Sequence, residues 1–294
     1  MSQLNGVRSA SAPPLTGAAQ GLIRWVCTSN PFYVLSAGLF LAGLWISFGA
    51  QAEAVQTWAL MSSLAGYTLL LAVTAYLLVR LANVWDDVRT VLLLVVLMFL
   101  ATSVTFDEAL VLSPGHGVRC CLVGLLFAVA VSEGLLRGTG LRLPALFRVP
   151  YYLILALFFL YPLAVSALVE EPRSEPLLWG LFGFSSAAGL VFLTLLPAVR
   201  RGADCVLDNG SPWRWPQYPW ALFVMLAIAV PGRAVLLCWS MHLIRELDQL
   251  VFGPYFLIPF GLSLTVLLLE FALVSRRRPG PRRRPTARRG TARR

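Results

Sequence analysis

Long apolar runs separated by short polar connections extend along almost the whole chain. Eight of these runs, of 17 to 24 residues each, have the length that an α-helix needs to cross roughly 30 Å of hydrocarbon. The pattern therefore predicts an all-α membrane protein, an eight-span transmembrane helix bundle. The predicted spans are residues 31–49, 57–79, 90–106, 117–136, 150–169, 176–199, 218–240 and 254–275.

Composition excludes a single soluble globular domain. Hydrophobic residues make up 58% of the 294 residues and charged residues 13%, whereas a soluble domain is about 25% charged. We assign residues 30–275 to the transmembrane domain. Residues 1–29 and 276–294 are poor in apolar side chains, and we predict that both are disordered. Residues 1–29 contain no early apolar segment, so we expect no cleavable signal peptide.

The distribution of arginine predicts the orientation of the bundle. All 24 basic residues are arginine. If the N-terminus is cytoplasmic, that side receives twenty arginines and the other side three, with Arg233 inside a span. An excess of basic residues in cytoplasmic loops is the usual bias of membrane proteins. We therefore predict a multi-pass protein of the cytoplasmic (inner) membrane with both termini in the cytoplasm.

The C-terminal segment carries ten arginines and no acidic residue. Its charge would suit nucleic-acid phosphates, but it begins directly after the last predicted span. We therefore predict that it fixes the orientation and binds anionic lipid headgroups, at about 1 kcal/mol per arginine near the surface. Nucleic-acid contact is the secondary alternative. The arginines nearest the membrane are Arg276, Arg277, Arg278, Arg282, Arg283 and Arg284.

The two halves of the predicted bundle resemble each other. The first and fifth spans are identical at seven of nineteen aligned positions, and "SSLAG" at 62–66 is matched by "SSAAG" at 185–189. Glu133 and Glu270 each follow the glycine of a Gly-Leu pair by nine residues. Two parallel four-helix repeats are one interpretation of these matches, and shared apolar composition is the other.

Three charged residues lie inside predicted spans, where charge is costly and is a functional candidate. In a carrier, Glu133 and Glu270 would face each other across the repeat axis and share a proton or a cation. Arg233 follows Pro231 and Gly232, which are expected to kink the helix, and would bind an anion there. The alternative is that all three form ion pairs near the membrane surfaces. The partners would then be Arg137 for Glu133, Arg276 for Glu270, and Asp107 or Glu108 for Arg233.

Two connections predicted on the cytoplasmic side contain paired acidic residues. One interpretation is that these acidic residues cap helices and offset neighbouring arginines. The residues are Asn83, Asp86 and Asp87 in "ANVWDDVR", and Asp204 and Asp208 in "GADCVLDNG".

In these two loops and in overall layout, the chain resembles intramembrane prenyltransferases of the UbiA type. The resemblance implies a membrane-embedded enzyme whose loop carboxylates bind a magnesium-diphosphate. The chain departs from the family pattern because Asn83 is followed by Val84, Asp86 and Asp87 are adjacent, and lysine is absent. The stretches "TSNPFYVLSAGLFLAGL" and "VWDDVRTVLLLVVLMFLATSVTFDE" also resemble bacterial multi-pass integral membrane proteins in general, which implies a location and no activity.

The histidines and cysteines do not have the spacing of a metal site. His116 and His242 both lie in predicted external segments with acidic residues on nearby loops, but no H-x-x-H pattern is present. The cysteines form no C-x-x-C pair, which favours a role in apolar packing. No metal site is predicted, and the sequence leaves the cofactors undetermined. The five cysteines are Cys27, Cys120, Cys121, Cys205 and Cys238.

Three functions are compatible with these patterns. The favoured one is a carrier or ion-coupled transporter that uses the charges inside the spans. The alternatives are a structural or assembly subunit, which would depend on protein partners or on self-association, and a lipid or prenyl transferase that uses the acidic loops. The chain has no Walker loop and no G-x-G-x-x-G motif, and we favour a function other than catalysis.

A synthetic peptide of residues 276–294 tests the predicted role of the tail. We expect it to bind vesicles that contain phosphatidylserine and to leave neutral phosphatidylcholine vesicles unbound, because its ten arginines carry the attraction. Co-sedimentation at several salt concentrations measures this, and binding should weaken as salt rises. Equal binding to both vesicle types would contradict the prediction.

Overall fold

A computed structural model describes residues 54–168, 175–206, 210–213, 215–240 and 254–277, with five isolated positions between residues 36 and 43. Within these ranges, seven helices are long and apolar enough to cross a membrane. They correspond to the second to eighth predicted spans, which confirms a polytopic helical architecture. The first predicted span lies outside the described residues except at the isolated positions.

The helices are labelled in chain order. They are α1 (Ala54–Leu77), which continues as a π-helical turn (Leu78–Ala82), α2 (Trp85–Leu112), α3 (Pro114–Thr139), α4 (Ala145–Ser166), α5 (Glu175–Leu193), α6 (Leu196–Arg201), α7 (Gln217–Ser240) and α8 (Ile258–Arg277). Short 3₁₀ turns follow α6 (Gly202–Val206) and precede α8 (Pro254–Leu257).

Local sequence explains where several helices begin and end. Pro114 occupies the first turn of α3, where a missing N–H removes no hydrogen bond. Gly140 ends α3 with a φ of 76°, a left-handed conformation that glycine adopts without steric cost. Asn83 ends the π-helical turn after α1 with a φ of 52°, and asparagine tolerates this region better than most side chains.

The sixth predicted span is divided into α5 and α6 because of Pro197. Proline cannot donate a backbone hydrogen bond, and its ring would collide with the carbonyl of Leu193 four residues earlier. The chain therefore leaves the α-helical pattern at Thr194 and Leu195, whose amides donate to carbonyls three residues back at 3.1 and 2.9 Å. Helical structure resumes at once and extends the span to Val206.

α2 is the central helix of the described bundle. It packs against α1, α3, α4 and α7, and 56% of its most apolar window is buried. Large aromatic side chains fill the space between α4, α5 and α7, where one ring pair is stacked and another meets edge to face. The fully buried members are Phe147, Phe158, Phe159, Phe184, Phe192 and Phe223.

α1 and α8 form the periphery. Only 22% and 17% of their most apolar windows are buried, and their outward faces carry exposed leucines such as Leu70 and Leu268. In water such faces would be unfavourable, whereas hydrocarbon solvates them without cost. This distribution is that of a bundle surrounded by lipid.

The four-plus-four repeat stays a prediction. The "SSAAG" segment packs α5 tightly against α8, because a Cβ added at Gly189 would lie 2.6 Å from Ser263 Oγ and 3.2 Å from the Pro259 carbonyl oxygen. At Gly66, in the matching "SSLAG" segment of α1, a Cβ would meet no atom within 4 Å. The two glycines therefore have different surroundings despite their matching sequences.

Replacing Gly189 with valine is expected to destabilise the contact between α5 and α8. The added atoms would collide with the Pro259 carbonyl and the Ser263 side chain and push α8 away from α5, at a cost of about 1–3 kcal/mol. The thermal unfolding midpoint of the purified protein in detergent measures the loss.

Gly261→Val on α8 is the matched control. A Cβ there would meet no atom within 4 Å, so the midpoint should fall much less. Equal losses in both variants would contradict the close packing at Gly189.

Candidate functional site

One end of the bundle gathers most of the arginines that the structure describes, and it is called the arginine-rich end below. α1, α3 and α8 end here, and α2, α4 and α7 begin here. Two hydrogen bonds join the ends of α1 and α3 to their neighbours, and ring contacts of the tryptophans before α7 reach the start of α2 and the last turns of α8. Arg80 donates from Nε to the Gly138 carbonyl oxygen at 2.9 Å. The Tyr218 hydroxyl donates to the Arg142 carbonyl oxygen at 3.1 Å. The described arginines of this end are Arg80, Arg89, Arg137, Arg142, Arg148, Arg200, Arg201 and Arg276.

Glu133 is the centre of a polar cluster between α3 and α4. Its Oε1 accepts hydrogen bonds from the Arg148 guanidinium and from the Tyr152 hydroxyl, the latter at 2.5 Å. Its Oε2 lies 3.5 Å from Arg137. The pairing with Arg137 confirms the ion pair expected from their four-residue spacing. The carboxylate is therefore held by three donors, and none of them is Glu270.

An open cleft of about 420 Å³ lies beside this cluster, at the connection between α3 and α4. It is called the arginine cleft. Three positive charges and one negative charge line it, a net charge of +2. The charged residues are Glu133, Arg137, Arg142 and Arg148, and the remaining walls are Gly140 and the leucines Leu136, Leu141 and Leu143. Such a balance favours an anion.

A smaller, apolar pocket of about 90 Å³ adjoins the arginine cleft. It lies between α2, α3 and the start of α7, and it shares Leu136, Leu141 and Leu143 with the cleft. The polar side chains beside it are largely satisfied: the Ser132 and Tyr151 hydroxyls form a 2.8 Å hydrogen bond with each other. The two spaces are therefore neighbours, one charged and one apolar, with three leucines common to their walls.

Aromatic residues form one wall of the apolar pocket. Trp213 and Tyr218 line it, and their ring centroids are 6.0 Å apart. Trp85 meets Trp213 edge-on at 5.5 Å, and its indole N–H donates to the Asn83 side-chain oxygen at 3.2 Å. These rings hold the segment before α7 against the start of α2.

Glu270 forms a separate ion pair. Arg200 on α6 donates from Nε to Glu270 Oε1 on α8 at 2.8 Å. The sequence suggested Arg276 as its neighbour, and the structure instead pairs it with an arginine seventy positions away. Glu133 and Glu270 are thus each paired with a different arginine, and the described contacts do not join them in one site.

Arg233 and Asp107 form a fully buried ion pair between α7 and α2. The guanidinium donates to both carboxylate oxygens, at 2.5 and 2.7 Å, and neither side chain is exposed. Arg233 Nη2 also approaches the carbonyl oxygens of Ser103 at 3.5 Å and Phe158 at 3.2 Å. The Ser240 hydroxyl donates to Asp107 at 3.1 Å. The pair therefore joins α2, α4 and α7.

This geometry selects between the sequence-based interpretations of Arg233. The partner is Asp107, as one of them expected, but the side chain does not extend to the outer face because it is wholly enclosed. Pro231 does not interrupt α7, which continues through it to Ser240. Arg233 Nε has no hydrogen-bond partner among the described residues. A bidentate ion pair that is fully buried is suited to holding helices together.

The acidic connections give a less complete picture. Asp87 lies in the first turn of α2 and Asp204 in the 3₁₀ turn after α6. Asp208 and the side chain of Asp86 lie outside the described residues. The magnesium-diphosphate site implied by the prenyltransferase resemblance therefore stays a prediction.

The two histidines and the tail are only partly described. His116 Nε2 lies 3.5 Å from Cys120 Sγ on the same helix, and His242 lies outside the described residues. Within the described ranges, no three His, Cys, Asp or Glu side chains are grouped so that they could hold a metal ion. The side chains after Arg276 are also outside these ranges, so the lipid-binding tail stays a prediction.

Arg148 and Tyr152 are the site residues that sequence reasoning missed. They lie four positions apart on α4, and both contact Glu133. Their spacing places them on one helix face, which is a readable signal. The sequence did not reveal that this face turns toward α3.

Comparison with known proteins identifies no relative: no protein-family model, no curated protein and no solved structure matches the chain.

A double-mutant cycle tests the structural role of the buried pair. We expect Asp107→Leu and Arg233→Met each to lower stability by about 3–5 kcal/mol, because each leaves one buried charge without its partner. The double variant should lose less than the sum, since it removes both charges. Thermal unfolding in detergent provides the comparison.

Arg200→Met is the control, because it removes a largely exposed arginine from its pair with Glu270. Such pairs contribute about 0–1 kcal/mol. Additive losses of stability in the Asp107 and Arg233 cycle would contradict a structural ion pair between these two residues.

Proposed function

We propose that the protein is a membrane carrier that accepts an anion at the arginine cleft. The net charge of +2 around an open space of about 420 Å³ is the observation that supports this most directly. Arginine guanidinium groups suit phosphate and carboxylate groups because their fixed N–H donors match two oxygen atoms at once. The arginine distribution favours a cytoplasmic position for this cleft.

Glu133 sets the affinity of the cleft in this proposal. It neutralises part of the charge of Arg137 and Arg148, and it holds Arg148 in place. An incoming anion would therefore be attracted to the cluster without being bound so tightly that it could not leave. Weak and reversible binding is a requirement for transport.

The proposal replaces the shared-cation interpretation of the two glutamates. Glu133 and Glu270 each have an arginine partner, and this pairing supports a stabilising role for Glu270. Arg233 likewise donates hydrogen bonds to both carboxylate oxygens of Asp107. Among the described residues, the arginine cleft is a charged space that remains open to a ligand.

Arg142→Gln is expected to reduce transport about tenfold or more. A charge-assisted hydrogen bond contributes about 1.5–3 kcal/mol, and 1.4 kcal/mol corresponds to a factor of ten. The contact of Tyr218 with residue 142 uses the backbone carbonyl, so the substitution leaves it in place. Uptake is measured in proteoliposomes with two probes: ³²P-labelled inorganic phosphate, and fluorescent phosphatidic acid whose transbilayer movement is followed by dithionite quenching.

Arg200→Gln is the matched control for this experiment. It removes the same charge from the arginine-rich end but away from the cleft, and transport should continue. If neither probe crosses with folded wild-type protein, the carrier proposal fails and the assembly-subunit alternative gains support. Equal loss in both variants would also contradict a specific role for the cleft.

A further inference from the structure

We propose that the arginine cleft and the apolar pocket together bind one anionic membrane lipid, with its phosphate at the arginines and part of one chain in the pocket. This inference rests on the cleft used in the proposed function and specifies the class of ligand. It is carried by the shared walls of the two spaces, since Leu136, Leu141 and Leu143 line both.

The depth of the two spaces matches the shape of a lipid. The arginine cleft lies at the end of α3 and the connection that follows it, between residues 133 and 148. The apolar pocket shares three leucines with the cleft and extends along α2 from Arg89 to Val96, about 10 Å at 1.5 Å per residue. A headgroup at the membrane surface with a chain directed inward has this arrangement.

Charge complementarity selects an anionic headgroup. Arg89 lines the pocket at the first turns of α2, so four arginines and one glutamate surround the combined site. A zwitterionic choline headgroup would bring its own positive charge against Arg137, Arg142 and Arg148. A phosphate monoester, as in phosphatidic acid, exposes only anionic oxygen atoms and can accept from several guanidinium groups.

The apolar pocket contributes to lipid binding through its shape and its position. A lipid chain is already surrounded by hydrocarbon, so burial in the pocket adds no hydrophobic driving force. A volume of about 90 Å³ accommodates roughly three groups of the size of water. It therefore holds a short part of the chain next to the headgroup, and the remainder lies along the bundle. Holding this part of the chain in the pocket keeps the phosphate next to the arginines.

Equilibrium binding to the full-length protein in detergent tests the inference. The probes are ³²P-labelled phosphatidic acid and ³²P-labelled inorganic phosphate, with unlabelled phosphatidylcholine as competitor. We expect phosphatidic acid to bind about tenfold more tightly than inorganic phosphate, and phosphatidylcholine to compete weakly. Arg142→Gln should weaken binding of both labelled probes.

Filling the apolar pocket separates the lipid from free phosphate. Ala221→Phe places a ring in the pocket and should lower the affinity for phosphatidic acid about fivefold or more, with inorganic phosphate unaffected. Leu93→Phe, on the α2 wall of the pocket, serves if the first variant does not fold. Val224→Phe is the control, because Val224 is on the same helix, is exposed and lies outside the pocket.

The outcomes separate this inference from the carrier proposal. If phosphatidic acid and inorganic phosphate bind equally and Ala221→Phe changes neither, the lipid is the wrong ligand, while the carrier proposal stands. If phosphatidic acid binding is insensitive to Arg142→Gln, the lipid binds elsewhere and the inference is overturned. Tight, cleft-dependent lipid binding without movement of either probe across vesicles supports the inference and ends the carrier proposal.

Discussion

The buried ion pair between Asp107 on α2 and Arg233 on α7 is the interaction on which the centre of the bundle depends. Apolar packing alone does not define how helices rotate against each other in lipid, because lipid chains solvate leucine as well as protein does. A bidentate pair with both side chains fully enclosed restricts the rotation of α2 against α7. The contact of Arg233 with the Phe158 carbonyl extends this constraint to α4.

The opposite end of these helices is organised differently. Here the charges lie at the surface and leave a space between them, because Arg137 and Arg148 share the single carboxylate of Glu133. The buried pair balances one charge against one, whereas the arginine cleft has an excess of two positive charges. The first arrangement holds helices together, and the second is suited to an anionic ligand. Helices held together by the buried pair, together with an open arginine cleft, are compatible with both the carrier and the lipid-binding proposals.

Several features were readable from particular residues. The ion pair of Glu133 with Arg137 follows from a four-residue spacing on one helix, and the expected pairing of Arg233 with Asp107 followed from the rule that charges inside a membrane seek partners. Other partners were not readable. Glu270 was expected near Arg276 but pairs with Arg200, because proximity along a helix does not reveal which neighbouring helix supplies a closer guanidinium.

The sequence by itself determined that this is a helical membrane protein, which segments form seven membrane-spanning helices, and that arginine concentrates at one end of the bundle. These properties depend on the length, polarity and order of the residues, which the chain states directly. Only the tertiary structure decided that Arg233 is enclosed and that Arg148 and Tyr152 both reach Glu133 beside the arginine cleft. Those outcomes depend on how each helix rotates about its axis, and apolar sequences specify that rotation weakly until the helices pack.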